Sequence, residues 1–410
     1  MPFRNHLAAA AFFALTCTSL SAAQRDPTLD FLEDRVARDE LDFIAWNKLG
    51  EKYLQLLRLN GDDGMLAKAA HAAEASLKAV GADLNPGGLS LRGRAELAAH
   101  RFAAARDTAA ALETLTPGRI GPVLLRADAL LELGKYAEAE KAIAEAARLD
   151  EFDDGIALTR QARLDLVYGR LQSAGERLAD AWWRAKNQLG NEETAAWCAV
   201  QSGELAFRQG QWERAEWWYD AARAALPAWY AIEDHFAELR AAQGRFEEAV
   251  SLYEKLVARV RRPELFQALG DVQVFAGKPE LAQPWFAKAR TLYTRSAERD
   301  DVLYLHHGSG FFADSVNEAE TAVAWARKDL EQRQTIQAWD ALAWAEYRAG
   351  HLKEAAPALE QALATGAKDP HLLYHASMIR MSGGDLAGGK AALREAVAIN
   401  PRYNTFHAHR

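Results

Sequence analysis

Trp197–Pro227, WCAVQSGELAFRQGQWERAEWWYDAARAALP, decides the fold. Gly203 stands seven residues before Gly210, Trp212 follows after a short turn, and Ala215, Tyr219, Ala222 and Pro227 come at spacings of three to five residues. This is the layout of two antiparallel helices joined by a tight turn. Small residues at Gly203 and Ala215 let the two backbones approach closely, while Trp212 and Tyr219 fill the wider space on either side. Such a pair cannot bury its second face alone, so similar pairs must stack on it.

The same offsets recur along the chain. Units counted from seven residues before the small first-helix residue start near 43, 86, 120, 155, 196, 230, 263, 300, 336 and 370. The first-helix contact position reads Gly50, Gly93, Ala127, Ala162, Gly203, Ala237, Gly270, His307, Ala343 and Ser377. Only His307 is large. The second-helix position reads Ala105, Ala139, Ala174, Ala215, Ala249, Ala282, Ala319, Ala355 and Gly389 from the second unit onward. Glycines such as Gly134, Gly169, Gly210 and Gly244 recur where the chain must turn between helices. Two places depart from the pattern. Residues 186–195 add length before the fifth unit, and Leu303–Asp314 carries Gly308 and Gly310. Each glycine weakens a helix by roughly 1 kcal/mol relative to alanine, so a bent or shortened helix is expected there.

The first unit carries Trp46, Leu49, Gly50 and Tyr53 in the arrangement W-x2-L-G-x2-Y. With the recurring small residues, this makes the chain resemble a tetratricopeptide-repeat protein over residues 43–403, and within that family a group of exported bacterial arrays. The resemblance implies an all-α, right-handed α-solenoid of about ten helix-turn-helix units, whose concave groove holds peptides, helices or whole proteins. Residues 24–42, where Asp26 and Pro27 open a helix, are expected to cap the first unit, and residues 404–410 to form a tail.

Composition narrows the function. A formal net charge of −8 argues against a nucleic-acid partner, which a basic field would attract. Residues 1–23 combine Arg4, an apolar run from Leu7 to Leu15 and Ser21-Ala22-Ala23, the pattern of a signal peptide cleaved after Ala23. The expected location is the periplasm, with secretion or an uncleaved membrane anchor as alternatives. No later stretch is apolar for long enough to cross a bilayer. Cleavage would leave Cys198 alone, without a disulfide partner, and it reads as a buried structural thiol.

No nucleophile elbow, phosphate loop or zinc-protease motif appears, so the chain reads as a non-enzyme that needs no cofactor. His371 and His375, spaced i,i+4, are weak candidate metal ligands. His307 is either housed by the glycine-loosened helix or forms a pH-sensitive or ligand-contacting site. The candidate partner-binding residues are Trp182, Trp217 and Trp218 with Glu204, Asp234, Glu238 and Asp271, which suggest an aromatic, acidic groove that attracts a protein or peptide of basic or mixed charge. Adjacent tryptophans cannot both enter one helix seam, so one of Trp217 and Trp218 should be exposed. The expected function is a scaffold in the bacterial cell envelope. Metal or glycan binding, and self-assembly, are the alternatives.

Overall fold

A computed structural model describes residues 26–150, 155–299 and 301–407; the expected signal segment lies outside them. Helix α1 (Pro27–Arg38) is capped by Asp26, whose carboxylate accepts from the amides of Thr28 and Leu29. Ten helix pairs follow. Units 1 to 3 are α2 (Phe43–Asn60) with α3 (Gly64–Ala79), α4 (Pro86–Ala98) with α5 (Phe102–Leu115), and α6 (Ile120–Glu132) with α7 (Tyr136–Leu149). Units 4 to 6 are α8 (Leu158–Val167) with α9 (Leu171–Asn187), α10 (Glu192–Arg208) with α11 (Trp212–Ala225), and α12 (Tyr230–Ala242) with α13 (Phe246–Arg259). Unit 7 pairs α14 (Pro263–Phe275) with α15 (Pro279–Glu298). Unit 8 pairs α16 (Leu305–Gly310), continued by a π-helical turn (Phe311–Ser315), with α17 (Ala319–Gln332). Units 9 and 10 are α18 (Ile336–Arg348) with α19 (Leu352–Leu363), and α20 (Pro370–Ser382) with α21 (Leu386–Ile399). The result is an α-solenoid.

The small residues do what their spacing requires. A Cβ on Gly203 would lie 2.3 Å from the Tyr219 ring, and one on Gly270 would lie 2.3 Å from Phe286. Tyr219, Tyr253 and Tyr293 are fully buried between successive units, and these aromatics supply much of the apolar burial in each seam. In unit 8 the contact residue differs from the expected His307. Here it is Gly308 that faces Trp325, at 2.3 Å from where a Cβ would stand, and the buried partner on α17 is Ala322 rather than Ala319. The π-helical turn accommodates an extra residue in the helix, which shifts the register and turns His307 toward the interior.

The solenoid winds so tightly that its turns touch, with unit n meeting the start of unit n + 6. Gly134 in unit 3 leaves no room for a Cβ, which would stand 2.2 Å from the Gln334 carbonyl oxygen ahead of unit 9. Nearby, the Tyr136 hydroxyl accepts from the Ile336 amide at 3.0 Å. Gly169 of unit 4 approaches the Gly366 carbonyl ahead of unit 10, and Gly210 of unit 5 approaches Asn400. By contrast, Gly244, Gly277, Gly350 and Gly384 of later units have no such neighbour within 4 Å, because no further turn lies over them. His100 takes the glycine place in unit 2 with φ of 57°. Its ring stacks on Phe102, over which the Arg333 guanidinium also lies.

Candidate functional site

Winding of this kind converts a concave groove into a lumen lined by first helices. Two cavities occupy it. The larger, about 1140 Å³, runs along α2, α4, α6, α8 and α10 and is walled by Leu54, Ser90, Leu124, Trp197 and Trp229 together with four arginines. The smaller, about 430 Å³, lies between units 4 and 5 on one side and units 8 to 10 on the other.

Charge in the lumen is arranged as pairs between units, most of them adjacent and one of them linking unit 1 to unit 5. Arg94 donates to Glu51 at 3.2 Å, Arg58 to Glu193 at 2.5 Å, and Arg160 holds Asp128 through two bonds of 3.0 and 2.6 Å. Arg163 bonds Glu132, which Arg333 approaches from the next superhelical turn at 3.8 Å. Burial pushes the Glu132 carboxyl up, but the two guanidiniums more than offset this and hold it below its ordinary value. The wall is therefore polar and close to neutral, with apolar patches between the pairs.

The expected acidic groove is not what the carboxylates form. Glu238 is fully buried and Asp234 nearly so, hence neither belongs to a solvated face. Glu204 bonds Arg208, which reaches Asp369 at 2.9 Å, and Asp271 accepts from Ser315 at 3.2 Å. Arg58 on α2, Arg160 on α8 and Trp229 just ahead of α12 reach the lumen wall only through the winding.

The three candidate tryptophans are placed apart from the lumen. Trp182, on α9, and Trp217 and Trp218, on α11, belong to second helices and line neither cavity. Trp218 is 7% exposed and Trp217 is 55% exposed, as the seam argument required. Trp182 packs against both, with ring centroids 5.3 Å from Trp218 and 5.9 Å from Trp217. The paired tryptophans and the carboxylates therefore do not form one surface.

The histidines do come together. His306, His307, His371, His375 and His407 all line the smaller cavity. His375 Nδ1 lies 3.0 Å from Asp340, and its ring stacks on Trp344 at 4.0 Å, which fixes its orientation. The His371 ring centroid is 4.1 Å from that of His375. Among the described residues, no group of three or more His, Cys, Asp or Glu is placed to hold a metal ion. Cys198 is buried on α10, and burial pushes its thiol up to about 12, so it is protonated and inert at neutral pH.

One element of the site was not anticipated. After α21 the chain does not leave the solenoid. Arg402 lies 3.9 Å over the Trp212 ring and donates to the Gly210 carbonyl at 3.0 Å, Phe406 packs on Phe275, and His407 Nδ1 reaches Glu238 at 2.5 Å.

Comparison with known proteins agrees with this architecture. The tetratricopeptide repeat profile matches residues 123–153, a span that takes in most of α6 and all of α7. The human IFIT1 dimer with PPP-AAAA has a similar fold, with TM-score 0.50 and 18% identity over 83% of this chain and 78% of that one. A tetratricopeptide repeat protein from Parabacteroides merdae is similar at TM-score 0.39 and 17% identity, over 60% of this chain and 93% of that one. No curated protein matches in sequence. Among the described residues no helix is long and apolar enough to cross a membrane. With its stacked, close-packed helix pairs and a profile match within them, this chain has the fold of tetratricopeptide-repeat proteins and resembles that family.

Proposed function

We propose that the chain is a non-enzymatic scaffold of the cell envelope that holds an extended segment of a partner protein in its lumen. The tetratricopeptide fold is in general a protein-interaction scaffold. The observation that carries the finer reading is the cavity of about 1140 Å³ along units 1 to 5, whose arginines are each paired to a carboxylate and whose remaining wall is largely apolar. A wall of that kind suits a peptide of mixed character, whose backbone can bond the ion pairs and whose side chains fill the apolar patches. The IFIT1 dimer is bound to PPP-AAAA, but the paired arginines and the net charge of −8 favour a polypeptide here. The envelope assignment rests on residues 1–23 alone.

The test is a block of the cavity by volume. Ser90→Trp places an indole in the lumen at a half-buried wall position. Affinity capture from native envelope extract should lose the wild-type partners while circular dichroism stays unchanged. Recovery of the same proteins in the same yield would contradict the placement.

A second reading, self-association, has its own observation. Leu84, in the loop leading into unit 2, is 73% exposed, whereas Val260, in the loop leading into unit 7, is 2% exposed because unit 1 lies against it. Among the described residues, this end of the solenoid thus presents the kind of edge that the middle of the chain buries. Sedimentation over a range of concentrations should show association that Leu84→Glu removes. A monomer at all concentrations would exclude it.

A further inference from the structure

The segment after α21 separates into two parts. Asn400 and Pro401 approach Gly210 as Gln334 approaches Gly134, so they repeat the contact between superhelical turns. Residues beyond Arg402 have no counterpart in that pattern. Instead of opening an eleventh first helix, the chain makes an irregular turn over Pro401–Thr405 and passes across the inner sides of α10, α12 and α14. It is held there by side chains. Phe406 is 2% exposed and meets Phe275 edge to face at 5.2 Å. His407 meets the Phe207 ring at 5.4 Å and puts Nδ1 2.5 Å from Glu238 Oε1.

The pocket beneath has a specific chemistry. Glu238 is fully buried, and a buried carboxylate is tolerated only where a cation or strong donor meets it. His407 supplies that donor from 169 residues away in sequence, with His235 Nδ1 further off at 3.6 Å. The Tyr219 hydroxyl, also fully buried and without a hydrogen-bond partner, stands in the field of the same carboxylate. On either side, Phe207 and Phe275 form an aromatic wall. His407 also lines the smaller cavity, so removal of the segment would open the pocket into that space.

We propose that the Phe207–Glu238–Phe275 pocket is a peptide site for an aromatic residue followed by a basic one, and that Phe406–His407 is its resident intramolecular occupant. A partner bearing that pair displaces the segment. This site is distinct from the larger cavity, and Ser90→Trp should leave it unaffected, so the two readings fail independently.

The probe is the labelled peptide YNTFHAHR, the sequence of residues 403–410. Full-length Phe406→Ala/His407→Ala should bind it at least about tenfold more tightly than the wild-type chain, by fluorescence anisotropy, because its own occupant is gone. The peptide with alanine in place of its phenylalanine should lose binding, and so should the wild-type peptide when Glu238→Gln is added to the double variant. Equal binding by wild type and double variant, or equal binding of the alanine-bearing peptide, would overturn the proposal. A second measurement uses the unmodified chain and does not depend on how the variants fold. Excess peptide should raise hydrogen exchange in residues 402–407 while leaving α21 protected, and unchanged exchange at saturation would equally overturn it.

Discussion

His100 shows how one residue reports on the whole winding. It occupies a left-handed turn position that other units give to glycine, and its Nδ1 is buried without a hydrogen-bond partner. Burial, then the nearby Arg333 guanidinium, pushes its pKa down to about 4. The neutral ring is therefore the folded form, while the unfolded chain takes up a proton near the ordinary value of about 6.5. Its contribution is complete above that pH and is lost as pH falls toward about 4, at most about 3 kcal/mol for the full shift. His100→Gly keeps the backbone conformation and removes the titration. The melting temperature of the variant relative to wild type should rise between pH 7 and pH 4.5; a pH-independent difference would contradict the buried contact. At this scale the sequence was legible for Gly203, Ala215 and Tyr219, whose roles depend only on their own helix pair. It misled for Glu238 and Asp234, since their burial depends on neighbours far along the chain, including the segment around His407.

Unit 8 carries the lesson for elements. A strict period puts His307 at the close contact, but the π-helical turn moves Gly308 into that place. The two glycines ahead of the π-helical turn have opposite requirements. A Cβ on Gly308 would meet the Trp325 ring at 2.3 Å, whereas Gly310 has helical φ of −60° and nothing within 4 Å. Gly308→Ala should therefore destabilise the protein by about 1–3 kcal/mol through overpacking, and Gly310→Ala should stabilise it by about 0.4–1 kcal/mol. Urea unfolding followed by tryptophan fluorescence separates them, and equal effects would return His307 to the contact. The sequence signalled a disturbed helix through these glycines, but it could not show the register, because a π turn has no composition of its own.

For the whole molecule, helix pairs and their small contacts were legible from the repeat, but the number of units per superhelical turn was not. That number comes from slight rotations between successive pairs, which no residue pattern states. It nevertheless decides the site. With turns touching every six units, first helices enclose a lumen, charges pair across units, and the tryptophans of α9 and α11 lie away from the cavities. The most direct test is an engineered disulfide between Leu133→Cys and Gln334→Cys in a Cys17→Ser background. The Gln334 amide lies 3.4 Å from the Leu133 carbonyl, although the two residues are about 200 positions apart in sequence. Oxidation of the dilute protein should give a cross-linked monomer of increased gel mobility at high yield. A chain that stays reduced, or that links only to other copies, would contradict the closed lumen on which the account rests.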